Sequence, residues 1–261
     1  MSVAAPLVFI TGASSGIGQA LAARFQRAGY RLALVARRAD EVARWASAQG
    51  FDAMTCAVYG ADVRDVAAIT GVGRACIAAQ GVPDVVIANA GISVGMDTAV
   101  LADLDVMRAT YETNNLGLAA TFHPFVAPMT ARKSGTLVGI ASVAGMRGLP
   151  GHGAYSSSKA AVIAYCESLR GELRAAGVRV VTIAPGYIDT PLTQGNRYSM
   201  PFLMSAEAFA DRAYAAIRAG DRFTFIPWQM AIVARLLKWM PNALYDRVLA
   251  GRPRKKRQSE V

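Results

Sequence analysis

The chain has 261 residues, of which 53% are hydrophobic and only 18% charged, a composition that excludes an intrinsically disordered protein. Lysine and arginine number 28 against 18 aspartate and glutamate, and the net charge of +10 points to an anionic partner. Three scattered cysteines with no histidine at metal-ligand spacing exclude a disulfide framework and a metal site, and predict a cytoplasmic protein. No apolar run reaches the roughly 18 residues of a spanning helix.

Short apolar runs alternate with helical stretches along most of the chain. The runs are largely apolar at consecutive positions, which is typical of strands buried on both faces of a parallel sheet. This pattern predicts one α/β domain over residues 1–250, with helices such as Ile17–Ala28 and Tyr155–Ala176. The predicted strands are Leu7–Ile10, Leu32–Ala36, Met54–Val58, Asp84–Ala88, Thr136–Ile140 and Val178–Ile183.

A glycine-rich loop, Thr11–Gly18, joins the first predicted strand to the first predicted helix. Glycines let backbone amides approach a pyrophosphate, and a helix N-terminus favours the anion. The loop therefore predicts a dinucleotide site, although a tight turn without a ligand is the alternative. The loop residues assigned to the cofactor are Gly12, Ser14, Ser15, Gly16, Ile17 and Gly18.

The second predicted strand ends in Arg37 and Arg38. An acid at this position accepts the 2′-hydroxyl of NAD, whereas arginine accommodates the 2′-phosphate of NADP. The sequence therefore favours NADP(H) over NAD(H), unless both arginines are solvated loop charges.

Tyr155 and Lys159 are four residues apart and share one helix face. A neighbouring ammonium lowers the pKa of a phenol, so Tyr155 is predicted to act as a general acid and base. Ser142 follows the fifth predicted strand, at the sheet edge where such folds hold ligands, and its hydroxyl would hold the reacting oxygen.

In this order, these motifs make the chain resemble the short-chain dehydrogenase/reductase family over about residues 5–190. The matching pieces are Thr11–Gly18, Asp62 with Val63, Ala88–Gly91, Asn114, Ser142, Tyr155 with Lys159, and Pro185–Thr190.

The resemblance implies a single doubly wound Rossmann-type domain with a mostly parallel seven-stranded sheet. It implies an NADP(H)-dependent interconversion of a carbonyl and a secondary alcohol, in which Tyr155 transfers the proton. Lys159 would assist Tyr155 and bind the nicotinamide ribose, Ser142 would stabilise the carbonyl oxygen, and Asn114 would hold a water that links Lys159 to solvent.

The resemblance also implies further cofactor contacts and a homodimer or homotetramer. Asp62 would contact the adenine, and Ile188 and Thr190 the carboxamide. A 3-oxoacyl thioester reductase and a non-catalytic dinucleotide-binding sensor or membrane-tethered scaffold are the alternatives. The further contacts are Asp62, Val63, Asn89, Ala90, Gly91, Pro185, Gly186, Ile188 and Thr190, beside Tyr155 and Lys159.

Residues 191–215 are predicted to form a lid with Gly195 as its hinge. The segment is rich in methionine, proline and aromatic residues, so it suits a hydrophobic, lipid- or steroid-like substrate. A packed loop without substrate contact is the alternative.

An amphipathic helix is predicted over about residues 228–240, followed by a basic, disordered tail over 251–261. From residue 235 onwards eight basic residues stand against two acidic ones. Flanking tryptophans and a basic segment are typical of a helix in an anionic membrane interface, here on the inner face of a membrane. Packing against the domain or a second subunit is an equal alternative, and no nucleic acid is expected. The predicted apolar face comprises Met230, Ile232, Val233, Leu236, Leu237 and Met240.

Overall fold

A computed structural model of the chain describes residues 5–194, 196, 199–251, 253–255 and 257. Strands and helices alternate through residue 185, as the sequence predicts. The elements up to this point are β1 (Leu7–Thr11), α1 (Gly16–Arg27), β2 (Arg31–Ala36), α2 (Ala39–Ala48), β3 (Cys56–Gly60), α3 (Val66–Gln80), β4 (Val85–Ala88), α4 (Asp103–Tyr111), α5 (Gly117–Arg132), β5 (Gly135–Ile140), α6 (Gly153–Leu173) and β6 (Val178–Pro185).

The remaining elements are helical turns between these elements and the C-terminal segment of the chain. A π-helical turn (Glu112–Leu116) joins α4 to α5, and a 3-10 turn (Val143–Gly145) follows β5. The C-terminal elements are β7 (Ile188–Asp189), α7 (Pro191–Gln194), β8 (Met204–Ser205), α8 (Ala206–Ala219), β9 (Phe223–Ile226), α9 (Gln229–Trp239) and α10 (Asn242–Leu249).

Seven strands form one sheet in the order β3-β2-β1-β4-β5-β6-β9, and every neighbouring pair is parallel. The strand order reverses between β1 and β4, where the chain crosses from one half of the sheet to the other. Ligands of open α/β sheets bind at such a point, beyond the carboxyl ends of the strands. The predicted doubly wound sheet of seven strands is confirmed.

The core lies on both faces of the sheet, which explains the uninterrupted apolar runs. In β1, Val8 and Ile10 face the layer that contains α1 and α8, whereas Leu7 and Phe9 face the layer that contains α3, α5 and α6. All four side chains are almost completely buried. Both faces of the strand are therefore apolar as far as Ile10.

The start of β3 differs from the prediction. The strand begins at Cys56, and Met54 is 86% exposed in the turn before it. The Asp52 carboxylate accepts the Met54 N–H at 2.8 Å, so this backbone group is committed to a turn rather than to the sheet.

The predicted lid is too long at its C-terminal end. Residues from Ala206 onwards belong to α8, where Phe209 and Ala213 are fully buried against the core. A short parallel ladder between β7 and β8 closes the segment before α8 begins. The proposed hinge, Gly195, lies outside the described residues.

Helix α9 confirms the predicted C-terminal helix, but its buried side differs from the predicted one. Ala234 is fully buried and Met230 is 4% exposed, whereas Ile232 and Leu236 are exposed. The reason is close packing: the backbone at Gly186 lies directly against the Met230 side chain. Among the described residues, no helix is both long and apolar enough to cross a bilayer.

Three residues of the predicted disordered tail have contacts with the domain. The Arg257 guanidinium forms an ion pair with Asp103 at 2.7 Å, and Arg254 lies 3.7 Å from the Asp97 carboxylate. Lys255 donates a hydrogen bond to the Leu192 carbonyl at 3.2 Å. The basic residues at 252 and 256, and residues 258–261, lie outside the described part of the chain.

Candidate active site

A cavity of about 480 Å³ opens beyond the carboxyl ends of the central strands. Among the residues predicted for the site, Gly18 and Asn114 do not line it, and all others do. One end of the cavity therefore holds the glycine loop and arginines of the first half of the chain, and the other holds Ser142, Tyr155 and Lys159 of the second half.

The glycine loop is held in a conformation that exposes backbone amides to the cavity. Gly12 has a φ of +70°, and a Cβ there would lie 2.8 Å from the Ala90 Cα. A side chain at Gly18 would collide with the Gly12 carbonyl oxygen. Gly18 therefore packs against the loop and does not line the cavity. Ser15 caps α1 without a side-chain hydrogen bond within the described chain, and the first turn contains no acid. The orphan amides of α1 therefore suit an anion.

Asn89 fixes this loop to the neighbouring strand. Its side-chain amide donates to the carbonyls of Thr11 at 3.0 Å and Gly12 at 3.2 Å, and the Thr11 hydroxyl accepts the Asn89 N–H at 3.2 Å. These hydrogen bonds pair the polar groups at the ends of β1 and β4 with one another. The two strands therefore fix the position of the residues that form the floor of the cavity.

Both predicted arginines lie in the cavity wall, but in different environments. The Arg38 guanidinium is paired with Glu41 at 2.7 Å. Arg37 is exposed and has no ion pair among the described residues. A third cation, Arg64, also lines the wall and holds Asp62 through two hydrogen bonds of 3.0 and 2.7 Å, which lower the pKa of that carboxyl.

Arg64 is a cation of the cavity wall that the sequence motifs do not predict. The only available sequence signal is its position directly after the Asp62-Val63 pair. Its role depends on a side-chain contact within a turn, because the Asp62 carboxylate also accepts the Arg64 N–H at 3.0 Å.

Ser142 and Tyr155 face each other at the other end of the cavity. Ser142 follows β5 and begins the 3-10 turn, where its hydroxyl accepts the Ala144 N–H at 3.1 Å. Burial raises the pKa of the half-buried Tyr155 phenol, and a hydrogen bond with Ser142 partly offsets that rise. Gly145 sits too close to the Lys159 backbone to carry a side chain, so the turn packs tightly on α6.

Lys159 lies beneath Tyr155 and is almost completely buried. Its ammonium donates to the Ile140 carbonyl at 2.8 Å and lies 5.8 Å from the centre of the Tyr155 ring. Burial lowers the pKa of Lys159 to about 8. The sequence predicts that Lys159 lowers the pKa of Tyr155. In the structure the hydrogen bond with Ser142 lowers this pKa, and the Lys159 ammonium is hydrogen-bonded to β5.

Asn114 sits in the π-helical turn behind this group. Its side-chain oxygen accepts the Ile92 N–H at 2.9 Å, and its amide donates to the Ile92 carbonyl and the Ser158 hydroxyl. The position that a Cβ at Gly91 would take lies 3.2 Å from Asn114 Oδ1 and 3.4 Å from Lys159 Nζ. The two polar groups therefore converge behind Gly91, as expected of residues that act together.

Thr193 supports the wall between β7 and α7. Its hydroxyl donates to the Ile188 carbonyl at 2.6 Å and accepts the Thr190 N–H at 3.1 Å. Ile188 and Thr190 are thereby held at the cavity, next to the exposed side chain of Leu192.

A parallel sheet with a glycine loop on one side of its switch point and Ser, Tyr and Lys on the other defines a Rossmann-type α/β protein with an oxidoreductase site. The family model for the short chain dehydrogenases matches residues 6–200. An uncharacterized oxidoreductase of Myxococcus xanthus is 39% identical over 237 residues, which cover 91% of this chain and 93% of that protein. The chain therefore belongs to the short-chain dehydrogenase/reductase family of oxidoreductases.

Further relatives agree with this assignment. The dehydrogenase/reductase SDR family member 7B of Bos taurus is 31% identical over 271 residues, covering 97% of this chain and 83% of that protein. A serine dehydrogenase solved in its closed form with NADP+ superposes with a TM-score of 0.73 at 26% identity, over 80% of this chain and 88% of that chain. ElxO with NADP bound, at 24% identity and a TM-score of 0.76 over 85% and 94% of the two chains, shows the same fold.

Proposed function

We propose that this protein is an NADP(H)-dependent oxidoreductase that interconverts a carbonyl and a secondary alcohol on a hydrophobic substrate. The observation that carries the proposal is that Ser142, Tyr155 and Lys159 meet in the same cavity that begins at the glycine loop. The residues come from β5 and α6, whereas the loop comes from β1 and α1, so only the fold brings them together.

The residues present fit the dinucleotide. The uncapped N-terminus of α1 would hold its pyrophosphate, Asp62 and Val63 its adenine end, and Arg37 and Arg38 its 2′-phosphate. Asn89, Ala90 and Gly91 would line its ribose side, while Pro185, Gly186, Ile188 and Thr190 would hold the carboxamide. When bound, the nicotinamide supplies or accepts the hydride. The serine dehydrogenase with NADP+ at 26% identity supports the choice of NADP(H).

The side chains of this protein would donate the proton to the substrate and replace it afterwards. The raised pKa of Tyr155 keeps its phenol protonated at neutral pH, so the residue is ready to donate a proton to a carbonyl oxygen. The Ser142 hydroxyl would donate a hydrogen bond to the same oxygen as charge develops on it. Lys159 would return a proton to Tyr155, and a water held by Asn114 would link Lys159 to solvent.

A hydrophobic, lipid- or steroid-like substrate fits the open end of the cavity. The wall there is formed by Ile188, Pro191 and Leu192, and Leu192 is 43% exposed. An apolar rim favours substrates that bury little charge. The three cysteines are free thiols, which fits our placement of the enzyme in a reducing cytoplasm, within reach of a membrane that supplies such a substrate.

We also propose a homodimer or homotetramer, as is usual in this family. Large apolar side chains are exposed on α4, the π-helical turn and α6, which pack against one another. Such a patch favours contact with a second copy. The exposed residues are Leu104, Met107, Leu116 and Tyr165.

Tyr155→Phe tests the proposed chemistry because it removes only the proton donor. We expect NADPH-dependent reduction of long-chain ketones, aldehydes, steroids and 3-oxoacyl thioesters to fall by at least about 10²-fold for whichever substrate the wild type turns over. NADPH binding, followed by nicotinamide fluorescence, should stay within a few-fold of wild type.

Tyr165→Phe is the matched control, since Tyr165 lies on the same helix on the exposed side. Retained reduction in Tyr155→Phe would remove the proton-transfer assignment. Binding of NADPH with no turnover of any carbonyl by the wild type would instead favour a dinucleotide-binding sensor.

A further inference from the structure

Helix α9 has apolar side chains on two opposite sides. One side, with Met230 and Ala234, is buried against the domain. The other carries Trp228, Ile232, Leu236 and Trp239, which are 63%, 50%, 63% and 83% exposed. At 100° per residue these four positions fall within a stripe of about 80°. A single exposed apolar residue is ordinary, but an aligned stripe of four large ones marks an interaction site.

Basic side chains border this stripe. Arg235 is exposed about 20° outside the edge of the stripe, Lys238 is exposed about 80° outside the same edge, and α9 contains no acidic residue. We call the four apolar residues together with Arg235 and Lys238 the α9 surface. We propose that the α9 surface docks the protein onto an anionic lipid bilayer, with α9 lying in the plane of the headgroups. The inference rests on the proposed function in one respect: a bilayer would supply the hydrophobic substrate.

The character of the α9 surface favours a bilayer over a second copy of the chain. In a two-fold symmetric contact the same patch meets itself, so Arg235 and Lys238 would meet a surface of α9 that contains no acid to pair with. The exposed patch on α4 to α6 lies on other helices and suits a second copy better. Tryptophan near both ends of the stripe is typical of a helix at the headgroup level, because the indole is apolar with one polar N–H.

The ion pairs of the described part of the tail favour α9 over Arg254 and Arg257 as the proposed lipid contact. Arg254 and Arg257 are paired with Asp97 and Asp103, so these tail cations are neutralised by the domain itself. Arg235 and Lys238 form no ion pair within the described part of the chain and are left to meet lipid phosphates. Each basic residue near an anionic surface contributes about a fivefold gain in affinity.

The α9 surface is rigidly connected to the candidate active site. Met230 on the buried side packs against Gly186, which lines the cavity. The Arg147 guanidinium, five residues after Ser142, donates hydrogen bonds to the carbonyls of Leu237 and Met240 at the end of α9. Docking at α9 would therefore bring the loop after Ser142 and the apolar rim of the cavity towards the bilayer.

Vesicle binding by the full chain tests the proposal. We expect co-sedimentation with vesicles of phosphatidylcholine and phosphatidylglycerol, at least about tenfold weaker binding to phosphatidylcholine alone, and weakening by salt. Two of the three tryptophans lie on the α9 surface, and the third, Trp45, is on α2. Tryptophan emission should therefore shift to shorter wavelength on anionic vesicles and be quenched by brominated lipid.

Two double variants separate the apolar and charged parts of the α9 surface. Leu236→Ser with Trp239→Ser, and Arg235→Glu with Lys238→Glu, should each weaken binding to anionic vesicles at least tenfold. The apolar control is Met54→Ser with Leu101→Ser, both highly exposed elsewhere. The charge control is Arg44→Glu with Arg74→Glu, on exposed faces of α2 and α3. Both controls should bind like wild type.

Three results would overturn the proposal: no binding of the wild type to anionic vesicles, unchanged binding by both α9 variants, or a change from dimer to monomer in the Leu236→Ser, Trp239→Ser variant. The last result would assign the stripe to a second copy. NADPH binding measured on every variant keeps the two proposals separate, because a failed docking surface leaves cofactor binding intact, whereas a wrong cofactor assignment leaves vesicle binding intact.

Discussion

The two arginines after β2 differ in their ion pairs. Arg38 is engaged by Glu41 at 2.7 Å, so a phosphate would have to compete with that carboxylate. Arg37 lies in the cavity wall without an ion pair in the described chain, and is close enough to Asp62 to lower the pKa of its carboxyl. We therefore expect Arg37 to contribute most of the preference for a 2′-phosphate.

Single alanine variants test this difference. Arg37→Ala should raise the KM for NADPH by about 10- to 100-fold, the range of a lost charge-assisted hydrogen bond, and leave the KM for NADH within a few-fold. Arg38→Ala should raise the KM for NADPH less. Steady-state kinetics with both cofactors decide the matter, and equal effects of the two variants would contradict the assignment.

At Lys159 the proposed function conflicts with the stability of the fold. It is 5% exposed, and burial lowers its pKa from 10.5 to about 8. Below pH 8 Lys159 is charged in the folded and in the unfolded protein, so the burial of its ammonium lowers the free energy of unfolding by the full amount. Between pH 8 and 10.5 the unfolded chain binds more protons than the native one, so this cost is relieved as the pH rises.

Lys159→Met should therefore abolish turnover and stabilise the fold. We expect the free energy of unfolding at pH 7 to rise by on the order of 2 kcal/mol, after allowance for the lost hydrogen bond to Ile140. The gain should shrink as the pH is raised from 8 towards 10. Urea denaturation of both proteins at several pH values measures it, with Lys133→Met as an exposed control. A destabilised variant, or a gain that does not depend on pH, would contradict this account.

At the residue scale, motif spacing predicts which side chains meet, but not their electrostatics. Tyr155, Lys159 and Ser142 are brought together as their positions after β5 and on α6 indicate. The raised pKa of Tyr155 depends on burial and on the opposing hydrogen bond with Ser142. The spacing of residues along one helix predicts neither of them.

At the element scale, hydrophobic pattern predicts strands that are buried on both faces and fails where packing is one-sided. The six predicted strands all exist because their apolar runs fill two core layers. The edge strand β9, Phe223–Ile226, is not among the predicted strands, and unlike the central strands it is only partly buried, with Phe223 37% exposed. Its place in the sheet depends on pairing with β6.

Helices α8 and α9 show the same limit for surfaces. The sequence assigns the start of α8 to a lid because its composition is apolar, yet that apolar side packs on α1 and on the core. In α9 an apolar stripe exists on both sides, so the helical period alone does not say which one is buried. The small side chain of Ala234 allows close approach to the domain, and the bulky tryptophans remain outside.

At the scale of the whole molecule, the C-terminal segment closes on the first half of the chain. Arg257 forms a parallel bridge with Gly95 and two hydrogen bonds with Asp103, the first residue of α4. Asp103 is 5% exposed, and its carboxylate also accepts the Asp97 N–H at 2.7 Å. The hydrogen bond from Arg257 is the largest cause that lowers the pKa of this carboxyl. Removing the cation beside a buried carboxylate lowers the stability of the fold strongly, whereas replacing both charged groups with neutral ones is tolerated.

Arg257→Gln should therefore lower the Tm at pH 7 more than the double variant Asp103→Asn with Arg257→Gln, in which no buried charge remains. Because the pKa of Asp103 is lowered in the folded state, the stability from this pair is present above the ordinary pKa of aspartate and is lost as the pH falls. The Tm values of wild type and Arg257→Gln should converge towards acid pH. Thermal denaturation of the two variants at several pH values measures both effects. An equal loss in the single and double variants, or a difference that persists in acid, would mean that the contact does not hold the C-terminal segment to α4.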